Sequence, residues 1–202
     1  MAFRDFTLTD LKKKFGLTVI EGVDLFASVG GVALPPGLAG TLHRYLPLAL
    51  KLNTEKARSE LLIAPMLVDL KLLHPDLMSV FSGIDFNVDP SVGLNGRCDF
   101  ILSRSPQQLE LTAPAFVLVE AKSENIIAGI PQCLAEMVAA QRFNRAEGVE
   151  VGRIHGVVTT GLLWRFLTLE GTTAQVDDIE YPLQQPEKIF GILTHIALGT
   201  VP

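Results

Sequence analysis

Phe116-Val117-Leu118-Val119-Glu120-Ala121-Lys122 is an apolar run that closes on an acid and a base two residues apart. Its first four residues are strand formers. The strand period of two sends Glu120 and Lys122 to the same face. The apolar lead-in predicts that this face is buried, where a carboxylate and an ammonium are costly unless they pair or bind something. The tripeptide alone is not selective, because Asp10-Leu11-Lys12 and Asp69-Leu70-Lys71 share the acid-any-Lys pattern. Its surroundings decide.

Outward from this run, residues 79–88, 94–103 and 115–121 read as three strands, the first two joined by a turn around Asp89-Pro90-Ser91 and Gly93. Ile130, Cys133, Leu134, Met137, Val138 and Ala140 recur at helical spacing and predict an amphipathic helix over 129–144. Two more strands, 154–159 and 163–170, flank a turn at Gly161. After a polar segment, 186–198 closes the chain as a helix with Pro186 in its first turn. Upstream, Ala57, Leu61, Ala64, Val68 and Leu72 predict a helix over 54–73, kinked at Pro65. Residues 7–28 start with capping residues Thr7 and Asp10, and read as a helix running into an extended segment; 30–40 is a Gly- and Pro-rich loop. This order predicts an α/β (α+β) fold with a central mixed sheet flanked by helices. Residues 1–52 form an N-terminal helical and extended appendage, and 53–202 form the main domain, within one compact unit.

The composition narrows the function classes. At 202 residues, 48% hydrophobic and 19% charged, the chain has enough apolar surface for a large core with a surplus that suggests a homodimer. A net charge of -5 excludes a broadly basic nucleic-acid surface, so any such site is local. The first residues show no basic segment followed by an apolar one, and the richest apolar region, 23–42, is broken by Asp24 and Pro35-Pro36-Gly37. The expectation is a cytoplasmic protein without a membrane span. Cys98 and Cys133 lack metal-ligand spacing and read as reduced core thiols; the four histidines are too scattered for a zinc site.

One acid on the preceding strand, Asp99 in Arg97-Cys98-Asp99-Phe100-Ile101-Leu102, can converge with Glu120 if the two strands pair. Two carboxylates beside a backbone carbonyl suit a hard divalent cation. In element order and in these residues the chain resembles the PD-(D/E)XK nuclease superfamily, with its restriction endonuclease-like αβββαβ core. The resemblance covers roughly residues 54–170. It maps the family's first acid to Glu60, its second motif to Asp99, its third to Glu120 and Lys122, and the helix glutamine of the exonuclease-like branch to Gln132. Asp99 follows Cys98 where many members have proline. The resemblance implies hydrolysis of nucleic-acid phosphodiesters, DNA before RNA, with Mg²⁺ or Mn²⁺ held by Asp99, Glu120, the Ala121 carbonyl and Glu60, while Lys122 orients the attacking water.

Each residue also has a plain structural role open to it. Glu60 suits a solvated helix flank, Asp99 an edge-strand partner of Arg97, Glu120 and Lys122 a surface ion pair, and Gln132 with Glu136 the wet face of their helix. The chief rival to a nuclease is a catalytically silent subunit of the same fold used for binding or assembly. A carboxylate-pair glycosidase leaves Lys122 unexplained.

Overall fold

The computed structural model describes residues 1–199. Thr7 and Asp10 cap the first helix, α1 (Leu8–Phe15), reciprocally: Thr7 Oγ1 accepts from the Asp10 amide at 3.1 Å and Asp10 Oδ2 from the Thr7 amide at 3.0 Å. Strand β1 (Thr18–Val23) follows. Helix α2 (Pro36–Leu52) then starts inside the stretch expected to be a loop. Pro36 has the φ of a first helical residue and no amide to satisfy, so this proline starts a helix where a loop was expected.

The helix expected over 54–73 has three parts, α3 (Glu55–Arg58), a π-helical turn (Ser59–Ile63) and α4 (Ala64–Leu73). The Ala64 amide reaches back five residues to the Ser59 carbonyl, and Pro65, which has no amide, follows in the first turn of α4. The proline is thus accommodated by a π turn ahead of it.

Strands β2 (Ser79–Asp85), β3 (Arg97–Ser103) and β4 (Ala115–Ala121) form an antiparallel meander. Helix α5 (Ile126–Ala146) crosses over to β5 (Ile154–Thr159), parallel to β4 with Glu120 opposite Val158. β6 (Leu163–Glu170), β7 (Thr173–Asp177) and the short β8 (Tyr181–Pro182) precede α6 (Pro186–Leu198). The strand order is β1-β7-β6-β5-β4-β3-β2, with β8 paired to β6. The protein is therefore α/β, with a central mixed sheet flanked by helices. β7 falls in the segment read as merely polar; its buried Ala174 and Val176 alternate with Thr173 and Gln175, as a half-buried strand requires. It pairs in parallel with β1, and Phe26, Leu38 and Leu42 enter the core, so residues 1–52 help build the same sheet and core.

The sheet divides the core in two. Phe100, Leu102, Val117, Val119, Val157 and Phe166 face α2, α4 and α6, whereas Ile101, Leu118, Val158 and Leu167 face α1 and α5. Gly156 allows the second packing: a Cβ there would lie 2.5 Å from Met137 Sδ and 2.8 Å from Cys133 Sγ, so α5 rests directly on β5. Trp164 is core, its indole N–H donating to the Gly161 carbonyl at 3.3 Å, and both cysteines are free and buried.

Candidate functional site

The three acid-any-Lys tripeptides separate by backbone. Asp10 and Asp69 lie on helices, where residues two apart face different ways, and Asp10 is a capping residue. Glu120 is the last residue but one of β4 and Lys122 follows the strand, so both project towards α5. Lys122 Nζ lies 2.5 Å from Glu120 Oε1 and donates to Gln132 Oε1 at 3.2 Å. Gln132 Nε2 in turn donates to Glu136 Oε1 at 3.2 Å. On β3, Phe100 pairs with Val119 and Ile101 with Leu118; one step further along this register Asp99 stands opposite Glu120. Asp99 Oδ2 accepts the Ala121 amide at 2.8 Å. Asp99, Glu120, Lys122 and Gln132 therefore form one cluster at the ends of β3 and β4 under the first turns of α5.

Glu60 stands apart from it. Its side chain is 61% exposed and pairs with Lys56 one turn back at 2.7 Å, the solvated-flank arrangement. The π turn over Ser59–Ile63 sets its direction, a backbone detail that the apolar spacing does not encode. The acid of the first helical run that acts on the cluster is Glu55, whose charge helps hold the Lys122 proton. Arg58 of the same run is nearly buried and donates to the Ser123 carbonyl and to Asn53 Oδ1, tying α3 to the loop just beyond Lys122. Neither residue stood out in the sequence.

Glu136 corrects the expectation of a wet helix face, for it is fully buried. The signal was present: residues 133–135 and 137–140 are apolar on all sides of it, and a helix apolar all round is a buried helix. Burial and the nearby Glu120 charge push its carboxyl well above the usual range, so it keeps a proton. Burial and the Asp99 charge push Glu120 up to about 7, against the pull of Lys122. Burial also raises Asp99, opposed by its bond from the Ala121 amide. Lys122 is partly desolvated, which works against its charge, yet Glu120 outweighs this and keeps it an ammonium. Three acids thus crowd one cation, and Glu120 Oε2 and Glu136 Oε2 are buried without a hydrogen-bond partner among the described residues.

Gly129 completes the site. A Cβ there would lie 3.0 Å from Lys122 Cγ and Cε and 2.6 Å from Val158 Cγ1, so glycine lets the lysine stem pass between helix and strand.

For a divalent cation, the free carboxylate oxygen of Asp99, Glu120 Oε2 and the Ala121 carbonyl are the donors this cluster offers. Hard oxygens around excess negative charge suit Mg²⁺ or Mn²⁺, which retain waters for the remaining positions. Among the described residues no group of three or more His, Cys, Asp or Glu side chains is arranged to hold a metal. No family model matches this sequence, and no curated protein shows significant similarity to it. No helix among the described residues is long and apolar enough to cross a membrane.

Proposed function

We propose that the protein is a metal-dependent nuclease of the PD-(D/E)XK type, hydrolysing phosphodiester bonds of nucleic acid, DNA in preference to RNA. The observation that carries this reading is the Lys122 ammonium held between Glu120 and Gln132 with Asp99 on the adjoining strand. The succession of α4, the β2–β4 meander, α5 and β5 supports it, as the element order that the proposed αβββαβ core calls for. Asp99, Glu120 and the Ala121 carbonyl would hold Mg²⁺ or Mn²⁺. When bound, the ion neutralises phosphate charge and acidifies a water. Lys122, fixed at two points, orients the attacking water and offsets charge developing on the phosphate oxygens. Gln132 keeps the ammonium from folding back onto Glu136, and the Asp99 bond to the Ala121 amide fixes the two strand ends relative to each other.

Divalent-metal titration with single- and double-stranded DNA and RNA tests this. Wild type should cleave with Mg²⁺ or Mn²⁺; Lys122→Ala should still bind Mn²⁺ in calorimetry yet cleave roughly 10²-fold more slowly, whereas Glu120→Ala should bind none. Equal cleavage by wild type and Lys122→Ala would overturn the mechanism.

A second reading, a catalytically silent subunit of this fold, is favoured by one observation: Glu120 is only 3% exposed and one of its oxygens is already taken by Lys122. Absence of cleavage by wild type with every metal and substrate would select it.

A further inference from the structure

At the far end of the same strands, and on the other side of the sheet, a cavity of about 430 Å³ is lined by Leu25, Phe26, Arg104, Arg153, His155 and Ile196, among others. His155 and Thr159 are four residues apart on β5, which separates this cavity from the Glu120 cluster by roughly 13 Å along the strand. His155 also shares the face of Val157, away from α5. The proposed nuclease chemistry makes no use of it.

The lining is unequal in charge. Among the described residues Arg104 and Arg153 face a single carboxylate, Glu170, which pairs with Arg153. Arg104 spends one Nη on the Ile196 carbonyl at 3.1 Å and lies over the Phe116 ring at 4.8 Å; among the described residues its guanidinium makes no further hydrogen bond. His155 Nδ1 is buried with no hydrogen-bond partner among the described residues, an orphan that a protein does not normally leave in its interior. Burial, aided by Arg153 and Arg104, pushes its imidazole down to about 3, so at neutral pH it is an uncharged donor and acceptor. Leu25, Phe26 and Ile196 add apolar surface to the lining. A few convergent polar groups in a mostly preformed cavity of this volume are the usual make-up of a small-molecule site.

We infer that this cavity binds a small organic anion, its anionic group between the Arg104 and Arg153 guanidiniums and within reach of His155, and its apolar or aromatic body against Phe26, Leu25 and Ile196. Arg104 supplies the charge that no acid among the described residues pairs with, and Glu170 weakens binding by competing for Arg153.

The probes are phenyl phosphate, benzoate, inorganic phosphate and neutral benzyl alcohol, added to the full chain while the His155 ring resonances are followed by NMR and affinity by calorimetry. Phenyl phosphate or benzoate should shift His155 and bind at least tenfold more tightly than inorganic phosphate; the tighter of the two names the head group. Arg104→Gln should weaken that binding at least tenfold. Glu170→Gln, a rim change that leaves the α6 contact of Arg104 intact, should strengthen it several-fold. Lys122→Ala should leave it unchanged. The inference is overturned if neither aromatic anion shifts His155, if benzyl alcohol binds as well as they do, if Glu170→Gln does not tighten binding, or if Lys122→Ala abolishes it.

Discussion

The two faces of β4 show how one strand serves two ends. Val117, Val119 and Ala121 enter an apolar core with Phe166, Leu67 and Phe190. On the other face Leu118 is followed by Glu120 and then Lys122, beneath a helix that adds a buried Glu136. The first face stabilises the fold by removing apolar area from water. The second costs desolvation of several ionisable groups that hydrophobic residues of equal volume would avoid. That cost is the physical reason to propose a site on this face.

The largest expected effect lies on the apolar face. Phe166 packs edge-on against Phe26 and Tyr181 at 5.3 and 5.6 Å. Phe166→Ala should cost about 3–5 kcal/mol in urea unfolding. A loss below about 1 kcal/mol would mean that the two faces do not differ as described.

Gly129→Ala sharpens the contrast on the polar face. Alanine is the better helix former by about 1 kcal/mol, but its methyl would press on Val158 and on the Lys122 stem. Stability should therefore change little, within about 1–2 kcal/mol, while any lysine-dependent cleavage falls. Retained cleavage would show that the stem has room to move.

Glu136→Gln addresses the pH dependence. Both buried glutamates have folded pKa values above the ordinary 4.5. Between 4.5 and those raised values the folded protein binds more protons than the unfolded chain, so stability is fully present below 4.5 and is lost as pH rises through the folded values. Urea midpoints should fall from pH 5 to pH 8 in wild type, and fall less in Glu136→Gln. Identical slopes would mean that Glu136 carries no shifted proton.

The smallest effect belongs to Glu60. Its exposed pair with Lys56 is a helix-surface contact, so Glu60→Ala should stay within about 0.5 kcal/mol of wild type and leave Mn²⁺ binding intact. Lost binding would return Glu60 to the site and displace Glu55.

By itself the sequence determined what depends on local period. The three strands of the meander, β5, β6 and α6 follow from spacing and turn residues, and the shared face of Glu120 and Lys122 follows from the strand period of two. Asp99 was legible because an acid amid strand formers is out of place. Tertiary structure alone decided the rest. Whether Glu136 is wet depends on what covers α5, and the sheet and α1 both do. Whether Glu60 or Glu55 influences Lys122 depends on a π turn that rotates one helical run against the sheet. The pairing of β1 with β7 joins residues more than a hundred positions apart, and no local pattern encodes a contact between two short strands at that separation. Periodicity fixes which way a side chain points from its own backbone; only packing fixes what it meets there.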